Sequence, residues 1–372
     1  MRGGLNMNDE SMLGTFDCKS AVGSRDARNI EREGYSFLAK ALTTALGRLM
    51  KSVIVLAVSV VLSTHAAYAA DKPVVRVAVL KFGTVNWFLD TMIHNKLDLQ
   101  NDFKLEIVPL ASKTATSVAF LSDSVDAFVT DWFWAMGERS KGNMVSFLPY
   151  SSTLGAVMLP PPSTAQSFED LSGKKIGIAG GPLDKSWLLM QTLARKQGVD
   201  DLAKTVSPVF AAPPLLNAQI EQGALDGVLN FWHFAARLKG KGYRTFLSVE
   251  DTMADLGITP APPLIGFVHG VGTGASDKPQ WAQFATAMEA TNEVLRTSDS
   301  AWERLRKVMR AGSDEEFVIL RDTYRKGILG KWNATHSQSA GKLFALMAEI
   351  GGEKVIGAGV TFDPGLFPSN DP

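Results

Sequence analysis

The tightest constraint on this chain is an internal repeat. Shifting the numbering by 100 places Trp87 on Trp187, Leu89 on Leu189, Lys96 on Lys196, Asp126 on Asp226, Trp132 on Trp232, Ala135 on Ala235, Lys141 on Lys241 and Gly142 on Gly242. In that register VDAFVTDWFWA (125–135) is answered by LDGVLNFWHFA (225–235). The first half alternates strand-like apolar runs with helical stretches: 74–80 then 87–96, 105–110 then 115–121, 127–130 then 132–139. A βαβαβ order implies a parallel sheet covered by helices, because parallel strands are joined by crossover helices. Two such units predict an α/β protein of two similar lobes.

Proline marks where the chain should pass between them. MLPPPSTAQSFEDLSGKK (158–175) and ITPAPPLIGFVHG (258–270) are too proline-rich for a central strand or helix interior, so both read as crossings. Two crossings imply two hinge strands, with lobe 1 built from 70–157 and 264–372 and lobe 2 from 158–263. The helical remainder, 278–350, with runs such as WAQFATAMEATNEVLR, is expected to return over the first lobe and the hinge.

Ahead of the repeat, MKSVIVLAVSVVLSTHAAYAADKP (50–73) has a basic start, a short apolar run and the small-x-small triplet Ala67-Tyr68-Ala69. That is the layout of a secretory signal peptide, cleaved near Ala69, and the apolar run is too short for an ordinary membrane span. Residues 1–49 are polar and unpatterned, and Met50 reads as the start of translation. Removing 1–69 leaves 30 basic against 32 acidic side chains, so the mature chain is near neutral. Without a basic stripe, nucleic acid is not an expected partner. The single cysteine, Cys18, falls in the leader, which excludes disulfides, thiol chemistry and a lipidated cysteine from the mature product. A soluble periplasmic protein is the expected result.

In open α/β sheets ligands bind beyond the carboxyl ends of the strands, where helix N-termini present free N–H groups. Applied to both lobes, this rule selects 81–87, 111–114, 131–134, 180–187, 211–215 and 230–233. The candidate contacts are Lys81, Asn86, Trp87, Ser112, Lys113, Thr114, Asp131, Trp132, Gly180, Gly181, Asp184, Ser186, Pro214, Asn230, Trp232 and His233. Trp132 and Trp232 occupy equivalent positions, so they either face each other across a ligand or pack as core aromatics. Phe133 and Trp134 read as core. Asp131 either accepts from a ligand or caps the helix that follows. Lys81, Lys113 and Lys185 are the cations available for a carboxylate or sulfonate. GGPLDKSW (180–187) lacks both the P-loop ending and a dinucleotide fingerprint, and the histidines show no metal-ligand spacing, so no cofactor and no metal are expected.

SFEDLSGKKIGIAGG (167–181) and IEQGALDGVLNFW (220–232), carried on two α/β lobes behind an export signal, resemble the periplasmic substrate-binding proteins of ABC transporters. The likeness is to the branch that takes nitrate, sulfonates, taurine and thiamine precursors, and it spans about 74–350. It implies a type II periplasmic binding fold and a monomeric, non-enzymatic receptor. The lobes would close on a small organic molecule and deliver it to a membrane ABC permease. The paired tryptophans favour a ligand with a flat or apolar part. Two alternatives remain on the same scaffold: an enzyme like the pyrimidine-forming proteins of thiamine synthesis, and an exported sensor or chaperone. The first lacks a reactive cluster in this sequence.

Overall fold

The computed structural model describes residues 72–271 and 280–367, together with Gly47 and Met50. The signal-peptide reading and Cys18 lie outside these residues. Leaving one-turn helices unnumbered, the chain runs β1 (Val74–Leu80), α1 (Val85–His94), β2 (Lys104–Leu110), α2 (Lys113–Leu121), β3 (Ala127–Asp131), α3 (Trp132–Ser140), β4 (Val145–Ser151) and β5 (Ala156–Leu159). It continues through β6 (Lys175–Ala179), α4 (Lys185–Lys196), β7 (Ser207–Ala211), α5 (Pro213–Glu221), β8 (Gly227–Asn230), α6 (Trp232–Lys239), β9 (Arg244–Ser248), α7 (Val249–Asp255) and β10 (Ile265–Gly270). Four helices close the chain: α8 (Trp281–Thr297), α9 (Asp299–Met309), α10 (Asp314–Lys326) and α11 (Ala334–Gly351).

The strands form two five-stranded sheets of matching design, ordered β2-β1-β3-β10-β4 and β7-β6-β8-β5-β9. In each, three parallel strands from one βαβαβ unit meet a fourth that runs antiparallel to both its neighbours. That fourth strand, β10 or β5, is the one arriving from the other lobe. The repeat extends to side-chain roles. Asp126 takes the Arg76 amide at 2.7 Å and returns its own N–H to the Arg76 carbonyl at 2.8 Å. Asp226 does the same with Lys175, at 2.8 and 2.9 Å. The shared aspartate therefore pins the entry of the third strand onto the start of the first in both lobes, which explains its place in the repeat without recourse to a ligand.

The first crossing lies elsewhere than the prolines suggest. β5 already pairs with β8 and β9, so the chain changes sheets at 152–155, and the proline-rich stretch that follows is a connection inside the second lobe. Proline needs only a surface path, whereas the crossing needs a close backbone approach. Gly155 provides it: a Cβ there would run into the Asn230 carbonyl. The Ser152 amide donates to the Gly327 carbonyl at 3.0 Å, so the segment after α10 braces this hinge strand. Gly155→Ala should lower the unfolding free energy by about 1–3 kcal/mol, the usual cost of overpacking, in a denaturant titration. The second crossing lies between α7 and β10.

The closing helices reach further than expected. α8 and α9 pack on α1 of the first lobe, but α10 packs on α6 and α11 on α4, both of the second. One buried cluster accordingly contains Trp132 and Phe133 of one lobe, Leu343 and Phe344 of α11, and Trp187 and Leu189 of the other lobe.

Candidate functional site

The carboxyl ends of β1, β2 and β3 and those of β6, β7 and β8 lead into helices α1–α3 and α4–α6, and the two sets meet where the chain crosses. One link there is an ion pair between lobes. Lys185, the first residue of α4, places Nζ 3.2 Å from Asp131 Oδ1 at the end of β3, with both side chains about one-fifth exposed. The same Nζ lies 4.8 Å from the centre of the Phe133 ring. A second lysine reaches the opposite way: Lys113, the first residue of α2, holds Nζ 5.8 Å from the ring of Phe231 in the second lobe. Each lysine thus leaves its own lobe to rest over an aromatic of the other, a favourable use of the ring quadrupole.

Asp131 does two jobs at once. Its Oδ1 accepts the Trp134 amide at 3.3 Å, capping α3, and also faces Lys185. Burial by itself raises the carboxyl pKa, but the positive charges of Lys185 and Lys113, with hydrogen bonds from Lys185 and the Trp134 amide, hold it below the ordinary carboxylate value. Asp184 caps α4 by accepting from the Ser186 and Trp187 amides at 3.0 and 3.3 Å. There burial outweighs the same two lysines, and its pKa lies above the ordinary value. Gly180 and Gly181, with φ of +92° and +94°, make the turn. A Cβ on Gly180 would collide with the Asp184 carboxylate, so that glycine is what lets Asp184 fold back to cap its helix.

Several other expected residues spend their polar atoms inside one lobe. Asn86 donates to the Leu80 and Gly83 carbonyls at 2.8 and 2.7 Å, closing the β1–α1 turn. Ser112 caps α2 through the Ala115 amide. Buried Asn230 donates to the Pro213 carbonyl at 3.0 Å and to Asn217 Oδ1 at 2.8 Å, and accepts from the Phe231 amide. Asn217 completes this network by donating to the Phe234 carbonyl. Lys81, Thr114 and Pro214 are exposed and Ser186 is half-buried, all on the turns expected of them.

The tryptophans do not form the facing pair suggested by their equivalence. Trp132 is wholly buried, stacks on Phe133 at 3.9 Å and donates its indole N–H to the Pro263 carbonyl at 3.1 Å, which ties it to the second crossing. Trp232 belongs to another cluster, with ring centres 6.0 Å from Trp87 and 6.1 Å from Tyr324 of the first lobe. Trp87 itself is buried against Trp232, Trp302 and Tyr324. Equivalent positions in a repeat share a backbone role, but what they pack against depends on the helices that cover each lobe, and those are not repeated. His233 is buried with neither ring nitrogen hydrogen-bonded. Its pKa falls to about 3, first through burial and then through the nearby Arg237 charge.

What brings charge to the meeting of the two lobes is therefore Lys113, Asp131, Asp184 and Lys185, framed by Phe133 and Phe231. Phe231 carries no polar signal and escapes a reading based on chemistry. Lys185 was visible in the sequence as one of three cations available for a carboxylate or sulfonate. Among the described residues no group of three or more His, Cys, Asp or Glu side chains is placed to hold a metal ion, and no helix is long and apolar enough to cross a membrane.

No protein-family model and no curated protein matches this sequence. Solved structures do match the fold. The alkanesulfonate-binding protein of Xanthomonas axonopodis pv. citri, solved bound to MOPS, superposes with a TM-score of 0.60 at 15% identity, covering 79% of this chain and 99% of its own. The periplasmic aliphatic sulphonate-binding protein of Escherichia coli gives 0.60 at 15% identity, covering 79% and 93%. An ABC transporter protein of Parabacteroides distasonis gives 0.60 at 14% identity, covering 80% and 99%. The chain has the two-lobed fold of the periplasmic sulfonate-binding proteins.

Proposed function

With that fold as premise, we propose that this protein is an exported solute receptor, which captures a small organic molecule between its lobes and presents it to a membrane ABC permease. Residues 50–69 would serve as its signal peptide, and the mature chain would work as a periplasmic monomer. The observation that carries the reading is the meeting of the two lobes through their strand ends and helix N-termini, with charged side chains from each reaching to the other. A ligand contacting both sides gains differential affinity for the closed arrangement, which is what a receptor needs if the permease is to distinguish loaded from empty. Neighbours of the same fold are named for sulfonate binding, which supports an anionic group in the ligand.

The test is a thermal-denaturation screen of sulfonates, small carboxylates and pyrimidines, followed by mass spectrometry of the incubated compounds. A ligand at a hundredfold excess over its Kd should stabilise the protein by about 2.7 kcal/mol and be recovered unchanged. Chemical conversion of the stabilising compound would overturn the receptor reading in favour of an enzyme on this scaffold.

A further inference from the structure

We infer that the two lobes meet through a crossed clasp of four charges, and that Asp131 is the member that lets them stay closed on each other. This device goes beyond ligand capture and can be tested without a ligand. Each lobe contributes one charge of either sign: Lys113 and Asp131 from the first, Lys185 and Asp184 from the second. Lys185 crosses to Asp131, 3.2 Å away, and rests over Phe133 beside it. Lys113 crosses the other way, to rest over Phe231. The carboxylates respond in the same crossed sense. Burial raises both of their pKa values; among the charges, Lys185 does most to lower that of Asp131 and Lys113 does most to lower that of Asp184. Each anion thus leans most on the cation of the opposite lobe.

The attraction that closes this seam is apolar, through contacts such as Trp232 on Trp87 and Tyr324, and charge decides whether those contacts can be reached. An intact ion pair gives little net stabilisation once desolvation is counted, but a half-removed one is strongly unfavourable, because the charge left behind is neither solvated nor compensated. The four members are not equal in this respect. Without Asp131, the two lysines meet across the seam with the positive N-termini of α2 and α4 behind them. Only Asp184 then opposes them, and it is committed to two backbone amides of its own helix. Without Lys185, Asp131 still faces the Lys113 charge, and the remaining charges alternate in sign. Removing the anion should therefore open the lobes more than removing the cation it pairs with. An ordinary ion pair predicts the same loss from either side.

The experiment measures the distance between lobes in the exhaustively dialysed chain beginning at Ala70. That chain has no cysteine, so Val118→Cys on α2 and Leu215→Cys on α5, both exposed positions, place one spin label on each lobe. Pulsed electron paramagnetic resonance should give one short distance for the otherwise unchanged protein. Asp131→Asn keeps an oxygen to cap α3 and should add a longer distance, raising the open-to-closed ratio by about tenfold or more. Lys185→Met should raise it less, and the double variant Asp131→Asn, Lys185→Met should fall back to the Lys185→Met value. Near-UV circular dichroism distinguishes opened from unfolded protein, and Asp131→Ser, which also caps, repeats the arm if asparagine prevents folding. Equal opening by the two single variants, no opening on loss of the Asp131 charge, a double variant as open as Asp131→Asn, or lobes already apart with Asp131 in place would each overturn the clasp. None of these outcomes touches the receptor reading, which the ligand screen judges separately.

Discussion

Trp132→Ala is expected to lower the unfolding free energy by about 3–5 kcal/mol, the range for truncating a fully buried tryptophan. The residue has no exposed surface, stacks on Phe133 and donates to the Pro263 carbonyl, so the variant loses packing and leaves a buried acceptor unpaired. Trp232→Ala should cost less in stability, because that side chain is only partly buried. Its ring nevertheless packs on Trp87 and Tyr324 of the other lobe, so its removal should loosen the contact between lobes. Denaturant titrations of the two single variants separate the roles that the repeat makes look identical. Equal losses for both, or a loss below about 1 kcal/mol for Trp132, would mean that the two positions do share a role.

How far the sequence carries is clearest at these positions. The two lobes and the succession of strands and helices in each were legible because a βαβαβ unit is set by local alternation of apolar runs, and the repeat states it twice. Asp126 and Asp226 show why the register was real: both pin a third strand to the start of a first. The first crossing was misplaced because proline marks an exposed path rather than a change of sheet, while Gly155, which permits the close approach to Asn230, is a single glycine with no local signature. At the site, local chemistry was readable and distant chemistry was not. Asp131 as a helix cap follows from an acid before a helical run. That Lys185, more than fifty residues away, would complete its pairing depends on how two lobes dock, which no spacing within the sequence encodes.

The pH dependence of stability should carry the signature of one buried imidazole. His233 sits on α6, whose Ala235 and Leu238 belong to the second-lobe core, while Trp232 and Ala236 belong to the cluster around α1 and α8–α10. At 100° per residue His233 falls on the outer side with Trp232, Ala236 and Arg237, facing the helices that cover the first lobe. Arg237, one turn on, pairs with Glu316 of α10 and donates to the Met309 and Arg310 carbonyls, which fixes its guanidinium beside the imidazole. Burial first and that guanidinium second depress the His233 pKa from 6.5 to about 3. Below pH 6.5 the unfolded chain takes up a proton that the folded chain refuses until about pH 3. This contribution is therefore absent above pH 6.5, destabilises progressively as pH falls between those values, and is constant below them. The slope in that window is roughly 1.4 kcal/mol per pH unit. Carboxylates such as Asp131, whose folded pKa is lowered, lose stability further down, as they are protonated. The informative quantity is thus the difference between wild type and His233→Leu, measured by denaturant titration from pH 7.5 to 4. The variant should gain on the wild type steadily below pH 6.5 and keep a constant offset above it. Parallel profiles across the whole range would mean that the folded imidazole takes up its proton as readily as the unfolded one, with an acceptor offsetting both burial and Arg237.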